Sequence, residues 1–184
     1  IDARNTVAED FGWDIPLFNN WFLIMTGSMG FGNTQEIIDE TIRQSLDGTE
    51  IIAVCGRNEE MLNRLKEENR YLPNIHPVGF TDRIPLLMDA CDVLFTKPGG
   101  ISSTEAMSKH IPMIHTAPIP GCETRNAEFF HYHGMSYSCI DTVQQVKTAL
   151  RLCEDMEYRE TMTGAQQVNA KPDTCHDIYA LFRD

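Results

Sequence analysis

Several features that mark particular classes of protein are missing from this sequence of 184 residues. Its longest apolar runs, such as 21–25, are far shorter than the roughly 20 residues that a membrane-spanning helix needs. Lys and Arg number only 15 against 27 Asp and Glu, so the basic surface of a nucleic-acid-binding protein is not expected. The six cysteines include no C-x-x-C pair, which argues against a zinc ribbon or a thioredoxin-like redox site.

Internal repeats, low-complexity tracts and long linkers are also missing, and the composition that remains is 42% hydrophobic. Such a chain has enough apolar surface for one globular core. Scattered cysteines favour a reducing cytosol, where a buried thiol behaves as a small apolar group. The sequence begins with Ile1 rather than Met, which suggests a piece of a longer protein.

Short apolar runs alternate with amphipathic stretches after an opening, to about Asn20, that has no regular pattern. This alternation predicts an α/β fold: a Rossmann-like parallel sheet of about six strands with helices on both faces. The predicted strands are Phe22 to Met25, Ile51 to Val54, Asn74 to Val78, Val93 to Phe95, Pro112 to His115 and Met135 to Ser138. The predicted helices are Thr34 to Leu46, Asn58 to Glu68, Ile84 to Ala90, Ser102 to Lys109, Thr124 to His133, Val143 to Cys153, Glu157 to Gln167 and Cys175 to Phe182.

Three loops that follow predicted strands are candidates for a ligand site, because ligands of parallel sheets bind beyond the carboxyl ends of the strands. The first, 26–33, is rich in glycine and lies before a helix, an arrangement that suits a phosphate. Its glycines are spaced G-x-x-G-x-G, which is neither the dinucleotide fingerprint nor the Walker A motif. A tight turn that needs glycine only for steric reasons is the alternative.

The second loop, 96–105, has a glycine pair followed by hydroxyl-bearing residues at a predicted helix start. Ser102 either caps the helix or helps to bind a diphosphate. Glu105 is placed to accept hydrogen bonds from a ribose, or else to form a capping box with Ser102 at the S-x-x-E spacing. The third loop, 117–126, brings Glu123 and Asn126 to a helix start, where they could bind sugar hydroxyls or simply favour the helix dipole.

Metal and nucleophile motifs are weak. His131 and His133 are two residues apart on a predicted helix, and such residues do not face each other. No Asp-x-Asp pair is present to hold a divalent cation, and no G-x-S-x-G elbow marks a hydrolase. We therefore expect no metal and no cofactor.

Four motifs, in order, resemble the donor-binding C-terminal half of GT-B glycosyltransferases: 25–30, 78–82, 97–105 and 120–126. The resemblance is to processive diacylglycerol glucosyltransferases and monogalactosyldiacylglycerol synthases, and more distantly to the lipid II N-acetylglucosaminyltransferase. It implies that backbone atoms near Phe80 and Thr81 hold uracil and that Glu105 holds the ribose. The implied nucleotide and diphosphate contacts are Gly27, Ser28, Met29, Gly30, Phe80, Thr81, Lys97, Gly99, Gly100, Ile101, Ser102 and Glu105.

The resemblance also implies that Glu123 and Asn126 contact the sugar, although Cys122 stands where the family usually has Gln. Residues 1–20 would be the remnant of an interdomain linker and 21–184 the nucleotide-sugar-binding domain, with the N-terminal acceptor domain absent. The implied reaction is inverting, metal-independent transfer of a hexose from a UDP-sugar to a lipid such as diacylglycerol. The full-length enzyme would lie on the cytoplasmic face of the membrane.

The catalytic base of this family lies in the N-terminal domain, so no catalytic residue is expected in this chain; His115 is the nearest candidate by sequence position. One alternative is a stand-alone nucleotide-sugar-binding subunit that needs a separate partner chain, as in the eukaryotic dolichol-linked N-acetylglucosaminyltransferase. A dinucleotide-binding Rossmann domain is disfavoured, because the second predicted strand ends at 54–57 without an acidic residue for an adenosine ribose.

Overall fold

The computed structural model describes residues 2–26, 33–45, 48–171, 178–180 and 182. Within these ranges, strands and helices alternate around one sheet. The strands are β1 (Asn20–Met25), β2 (Thr49–Gly56), β3 (Ile75–Gly79), β4 (Val93–Thr96), β5 (Met113–His115) and β6 (Tyr137–Ser138). The helices are α1 (Asp2–Phe11), α2 (Thr34–Gln44), α3 (Glu59–Glu68), α4 (Ile84–Ala90), α5 (Gly100–Lys109), α6 (Cys122–Tyr132), α7 (Thr142–Glu154) and α8 (Met156–Asn169).

The strand order places the candidate loops side by side. The order is β3-β2-β1-β4-β5-β6, and every neighbouring pair is parallel. The direction of strand addition reverses between β1 and β4, and in open parallel sheets a ligand crevice forms at such a reversal. The loops after β1 and β4 therefore border this crevice, with the loops after β3 and β5 farther along the same edge.

Both faces of the sheet are covered by helices, as the apolar runs predict. On β1, Phe22 and Ile24 pack into one apolar cluster with residues of α2, α3 and α7. Leu23 points the other way and packs with residues of α1, α4, α5 and α6. All three side chains are at most 1% exposed. The predicted α/β class, parallel sheet and two helical layers are thus confirmed.

The prediction of an irregular opening to about Asn20 is wrong, because α1 occupies half of it. This helix packs against α4, but Val7 is the one residue of α1 that is fully buried. The guanidinium group of Arg4 fixes it by donating to Asp92 Oδ2 at 2.5 Å and to the Ala90 carbonyl at 2.9 Å. Ala3 and Phe11 are partly buried against the same cluster as Val7. The helix therefore has apolar residues at the i, i+4 and i+8 positions of one face, a short pattern that the prediction overlooked.

The other predicted elements differ from the structure mainly at their ends. The last strand is shorter than predicted, and α5 begins at Gly100 rather than at Ser102. Of the predicted helix from Cys175 to Phe182, residues 178–180 are helical, while 175–177 and 181 lie outside the described residues. Among the helices that can be described, none has the length and apolar character to cross a bilayer.

Candidate functional site

The first candidate loop is anchored at both of its ends. Gly27, Ser28, Met29 and Gly30 lie outside the described residues. Thr26, before them, and Thr34, after them, share a hydrogen bond of 2.5 Å between their buried hydroxyl oxygens. The hydroxyl of Thr96, at the end of β4, donates to the carbonyl of Met25 at 3.1 Å. The loop after β1 therefore starts beside the loop after β4.

The turn between β4 and α5 has two glycines that the domain itself does not require. Gly99 is the N-cap of α5, with φ -74° and ψ 139°, a conformation open to any residue. Among the described residues, a Cβ atom on Gly99 would have no neighbour within 4 Å, and one on Gly100 would meet only the side-chain amide of Asn126 at 4.0 Å. Neither backbone strain nor packing against this part of the chain explains the glycines, so the structure leaves room there for a ligand.

In the part of the chain that the structure describes, no side chain caps the start of α5. Because the helix begins at Gly100, Ser102 and Glu105 lie inside it, and the capping-box interpretation of this pair does not hold. Both residues are half-buried, whereas Ile101 is 83% exposed. Lys97 is half-buried and directly follows β4. The first amides of the helix, together with its dipole, therefore form an environment suited to an anion.

The loop between β5 and α6 is braced against itself and against the glycine turn. Gly121, with φ 114°, allows the chain to turn into α6 in a conformation that side chains disfavour. The backbone N–H of Ile119 donates to Glu123 Oε2 at 2.7 Å. Asn126 donates its amide to the Pro98 carbonyl at 3.0 Å. The structure thus brings Asn126 beside the β4–α5 turn, whereas Glu123 braces its own loop.

Phe80 and Thr81 follow β3, at the same edge of the sheet but two strands away from β1. Phe80 is 69% exposed, and the guanidinium carbon of Arg57 lies 5.0 Å from the centre of its ring. The hydroxyl of Thr81 accepts a hydrogen bond from the backbone N–H of Arg83 at 3.0 Å. An exposed aromatic ring and an ordered turn therefore border the crevice on its far side.

His115, the nearest candidate for a catalytic base by sequence position, is completely buried. Its Nε2 lies 3.0 Å from Ser103 Oγ and its Nδ1 lies 3.1 Å from Ser136 Oγ. Burial, with a smaller contribution from His131, lowers the pKa of His115 to about 4. A buried imidazole with both nitrogens in hydrogen bonds is poorly placed to take a proton from an acceptor substrate. Nothing in the sequence marks the two serines as its partners.

Metal-ligating side chains do not converge on the crevice. Across the described part of the chain, no three His, Cys, Asp or Glu side chains are grouped so that they could hold an ion. His131 Nδ1 lies 3.4 Å from the backbone N–H of Ser138, whereas His133 Nδ1 lies 2.8 Å from the carbonyl of Phe129. The two histidines therefore have separate partners.

Known proteins were compared at the level of family, sequence and structure. No family model matches the chain. The processive diacylglycerol β-glucosyltransferase of Staphylococcus carnosus is 30% identical over 163 residues, which are 88% of this chain and 41% of that protein. The corresponding protein of Bacillus subtilis is 36% identical over 143 residues, 74% of this chain and 36% of that protein. The chain thus spans about two fifths of the length of these relatives.

Solved structures share the fold. Anabaena HepE, crystallised in complex with UDP and glucose, is 17% identical with a TM-score of 0.72, and the match covers 92% of this chain and 47% of HepE. MurG of Acinetobacter baumannii is 17% identical with a TM-score of 0.74, over 90% of this chain and 49% of MurG. The chain therefore resembles the processive diacylglycerol glucosyltransferases in sequence and has the Rossmann-like fold of one half of a GT-B glycosyltransferase, as its motifs predict.

Proposed function

We propose that this chain is the donor-binding half of an inverting glycosyltransferase that moves a hexose from a UDP-sugar to a lipid acceptor, diacylglycerol. The observation that carries the proposal is the glycine pair at the start of α5. Glycine in place of alanine destabilises a protein by roughly 0.5–1 kcal/mol where the backbone conformation suits both, because glycine raises the entropy of the unfolded chain. Gly100 carries this cost although, among the described residues, a Cβ atom would meet nothing closer than Asn126 at 4.0 Å. Close approach of a ligand to the backbone is a reason for the glycine that the domain does not otherwise supply.

A diphosphate is the ligand that fits this turn best. The uncapped amides at the start of α5 are donors, and the helix dipole favours negative charge at the same point. Lys97 adds a positive charge next to the turn. The resemblance adds 27–30 as diphosphate contacts, and these lie outside the described residues. Because the protein supplies these donors, the diphosphate should bind without a divalent cation.

The remaining groups of the donor have partners along the same edge of the sheet. Glu105, one turn into α5, would accept hydrogen bonds from the ribose hydroxyls. Backbone atoms of Phe80 and Thr81 would hold the uracil. A carboxylate accepts several hydrogen bonds, so Glu123 can bind a sugar hydroxyl while it braces Ile119. Asn126 would contact the sugar through the amide group that also joins α6 to the glycine turn.

The acceptor and the catalytic base are assigned to a second domain outside this chain. The curated relatives are more than twice as long as the matched region and are named for diacylglycerol. His115 is completely buried, and among the other histidines that the structure describes none ends a strand beside the candidate sugar site. This chain by itself should bind the donor without transferring the sugar.

Calorimetric titration of the chain with UDP tests the proposal. Glu105→Ala should weaken binding by about 1 to 3 kcal/mol, roughly 5- to 150-fold in Kd, because the ribose hydroxyls lose a charged partner. Glu154→Ala, near the end of α7, makes the same change in net charge away from the crevice and should leave the Kd unchanged. Absence of UDP binding, or an unchanged Kd for a folded Glu105→Ala variant, would contradict the proposal.

A further inference from the structure

A buried chain of hydrogen bonds links α5 to β5 and to the residue that precedes β6, beneath the candidate site. It runs from Ser103 through the imidazole of His115 to Ser136, with O···N distances of 3.0 and 3.1 Å. Ser103 and His115 are 0% exposed and Ser136 is 4% exposed. Since the low pKa of His115 keeps the ring neutral, one ring nitrogen donates and the other accepts. The two serine hydroxyls therefore play opposite roles.

Burying three polar side chains in a core has a cost in folding free energy. Each loses its hydration on folding, and hydrogen bonds inside the protein recover only part of that cost. The surroundings are apolar: the ring of Phe130 lies edge-on to His115 at a centroid distance of 5.5 Å. A directional hydrogen bond fixes the position of one particular atom, which apolar packing does not do.

Ser103 is the residue through which such a bond would fix the start of α5. Its backbone N–H donates to the carbonyl of Gly99 at 3.0 Å and closes the first helical turn. Its hydroxyl reaches down to His115 at the end of β5. Among the described residues, no side chain caps this turn, and its side-chain contacts include the bond from Ser103 to His115 below it and the bond from Asn126 to Pro98.

We infer that His115 is a positioning residue for donor binding: through Ser103 it sets where the first amides of α5 point. The inference rests on the proposed function, since it takes the α5 amides to be the diphosphate site. His115 touches no donor group itself. Its effect is transmitted by one hydrogen bond, so it should appear in the affinity for UDP and not only in the stability of the fold.

Ser103→Ala and His115→Leu each remove this link, and the UDP Kd of each should rise about five- to tenfold in calorimetry below the unfolding temperature. The double variant should be no weaker than the worse single variant, because both changes break the same bond. His115→Gln should stay within about twofold of the wild-type Kd, since its side-chain amide can still bond to Ser103. If His115→Leu does not fold, Ser103→Ala and His115→Gln decide the question.

Thr41→Val controls for a simple loss of stability. It removes another buried hydroxyl, one that donates to the Ile37 carbonyl in α2 at 2.7 Å, and should leave the Kd unchanged. Folded Ser103→Ala protein with the wild-type Kd would overturn the inference while leaving UDP binding by the domain in place. Equal weakening in Thr41→Val and Ser103→Ala would also overturn it. A wild-type chain that fails to bind UDP would instead refute the proposed function, and the inference with it.

Discussion

Alanine at position 100 should make the domain more stable and a worse nucleotide binder. Gly100 is the first residue of α5, and alanine is favoured over glycine there by roughly 0.5–1 kcal/mol through helix propensity and lower entropy of the unfolded chain. The new Cβ atom would lie 4.0 Å from the amide nitrogen of Asn126, an ordinary contact distance. No steric clash with the described residues offsets this gain in stability.

The stability gain is measured by urea denaturation. With a slope of about 2 kcal/mol per M for a domain of this size, a gain of 0.5–1 kcal/mol raises the midpoint by about 0.3 to 0.5 M. The same methyl group occupies the space through which a diphosphate would reach the α5 amides. We expect the calorimetric Kd for UDP to rise at least about tenfold, equivalent to roughly 1.4 kcal/mol.

Gly164 provides the matched control for Gly100. It lies within α8, and a Cβ atom added there has no neighbour within 4 Å. Gly164→Ala should therefore raise the urea midpoint similarly and leave UDP binding unchanged. If Gly100→Ala binds UDP as tightly as the wild type, the prediction is wrong, because the glycine then has no ligand to accommodate. A midpoint that falls in Gly100→Ala would refute the packing argument instead.

Three further outcomes are expected. Because the folded state holds His115 at a pKa of about 4, against an ordinary value of 6.5, its contribution to stability is complete above pH 6.5 and decreases by about 3 kcal/mol as the pH falls to 4. In His115→Gln the urea midpoint should depend less on pH across this range. A pH dependence parallel to that of the wild type would contradict the lowered pKa of His115. The Kd for UDP should be the same in EDTA, whereas a tenfold loss restored by magnesium would disprove the metal-independent site. Arg4→Met should lower the free energy of unfolding by about 2 kcal/mol, because Asp92 is left partly buried without its main charged partner. Arg70→Met, which breaks an exposed pair with Glu67, should change it little.

The sequence was sufficient to predict the parallel sheet and the edge of the sheet where the candidate site lies. Consecutive apolar residues such as 22–24 identify a strand buried on both faces, and parallel strands bring their following loops to one edge. The loops that contain Gly99 and Glu123 could therefore be chosen before any coordinate was known. The hydrogen bond from Asn126 to the Pro98 carbonyl joins these two loops. It could not be predicted from the sequence, because it depends on the relative placement of two helices.

Other features depended on contacts between distant parts of the chain. His115 lies 12 positions from Ser103 and 21 from Ser136, and only the order of β4, β5 and β6 brings them together. Likewise, Arg4 finds Asp92 at a separation of 88 positions. The glycine pair itself was visible in the sequence. That the packing around these two positions does not require glycine was not visible, because it depends on the positions of neighbouring atoms.

The hydrogen bond between Thr26 and Thr34 has a consequence for how this domain can change. Both ends of the intervening loop are held at one buried point, so the fold fixes where the loop starts and stops, whatever its length. The entropic cost of closing a flexible loop grows slowly, by about 0.6 kcal/mol for each doubling of its length. Residues can therefore be inserted or deleted between the two threonines at little cost to the sheet. The length and sequence of the segment between them can therefore change while β1, α2 and the core around them stay as they are.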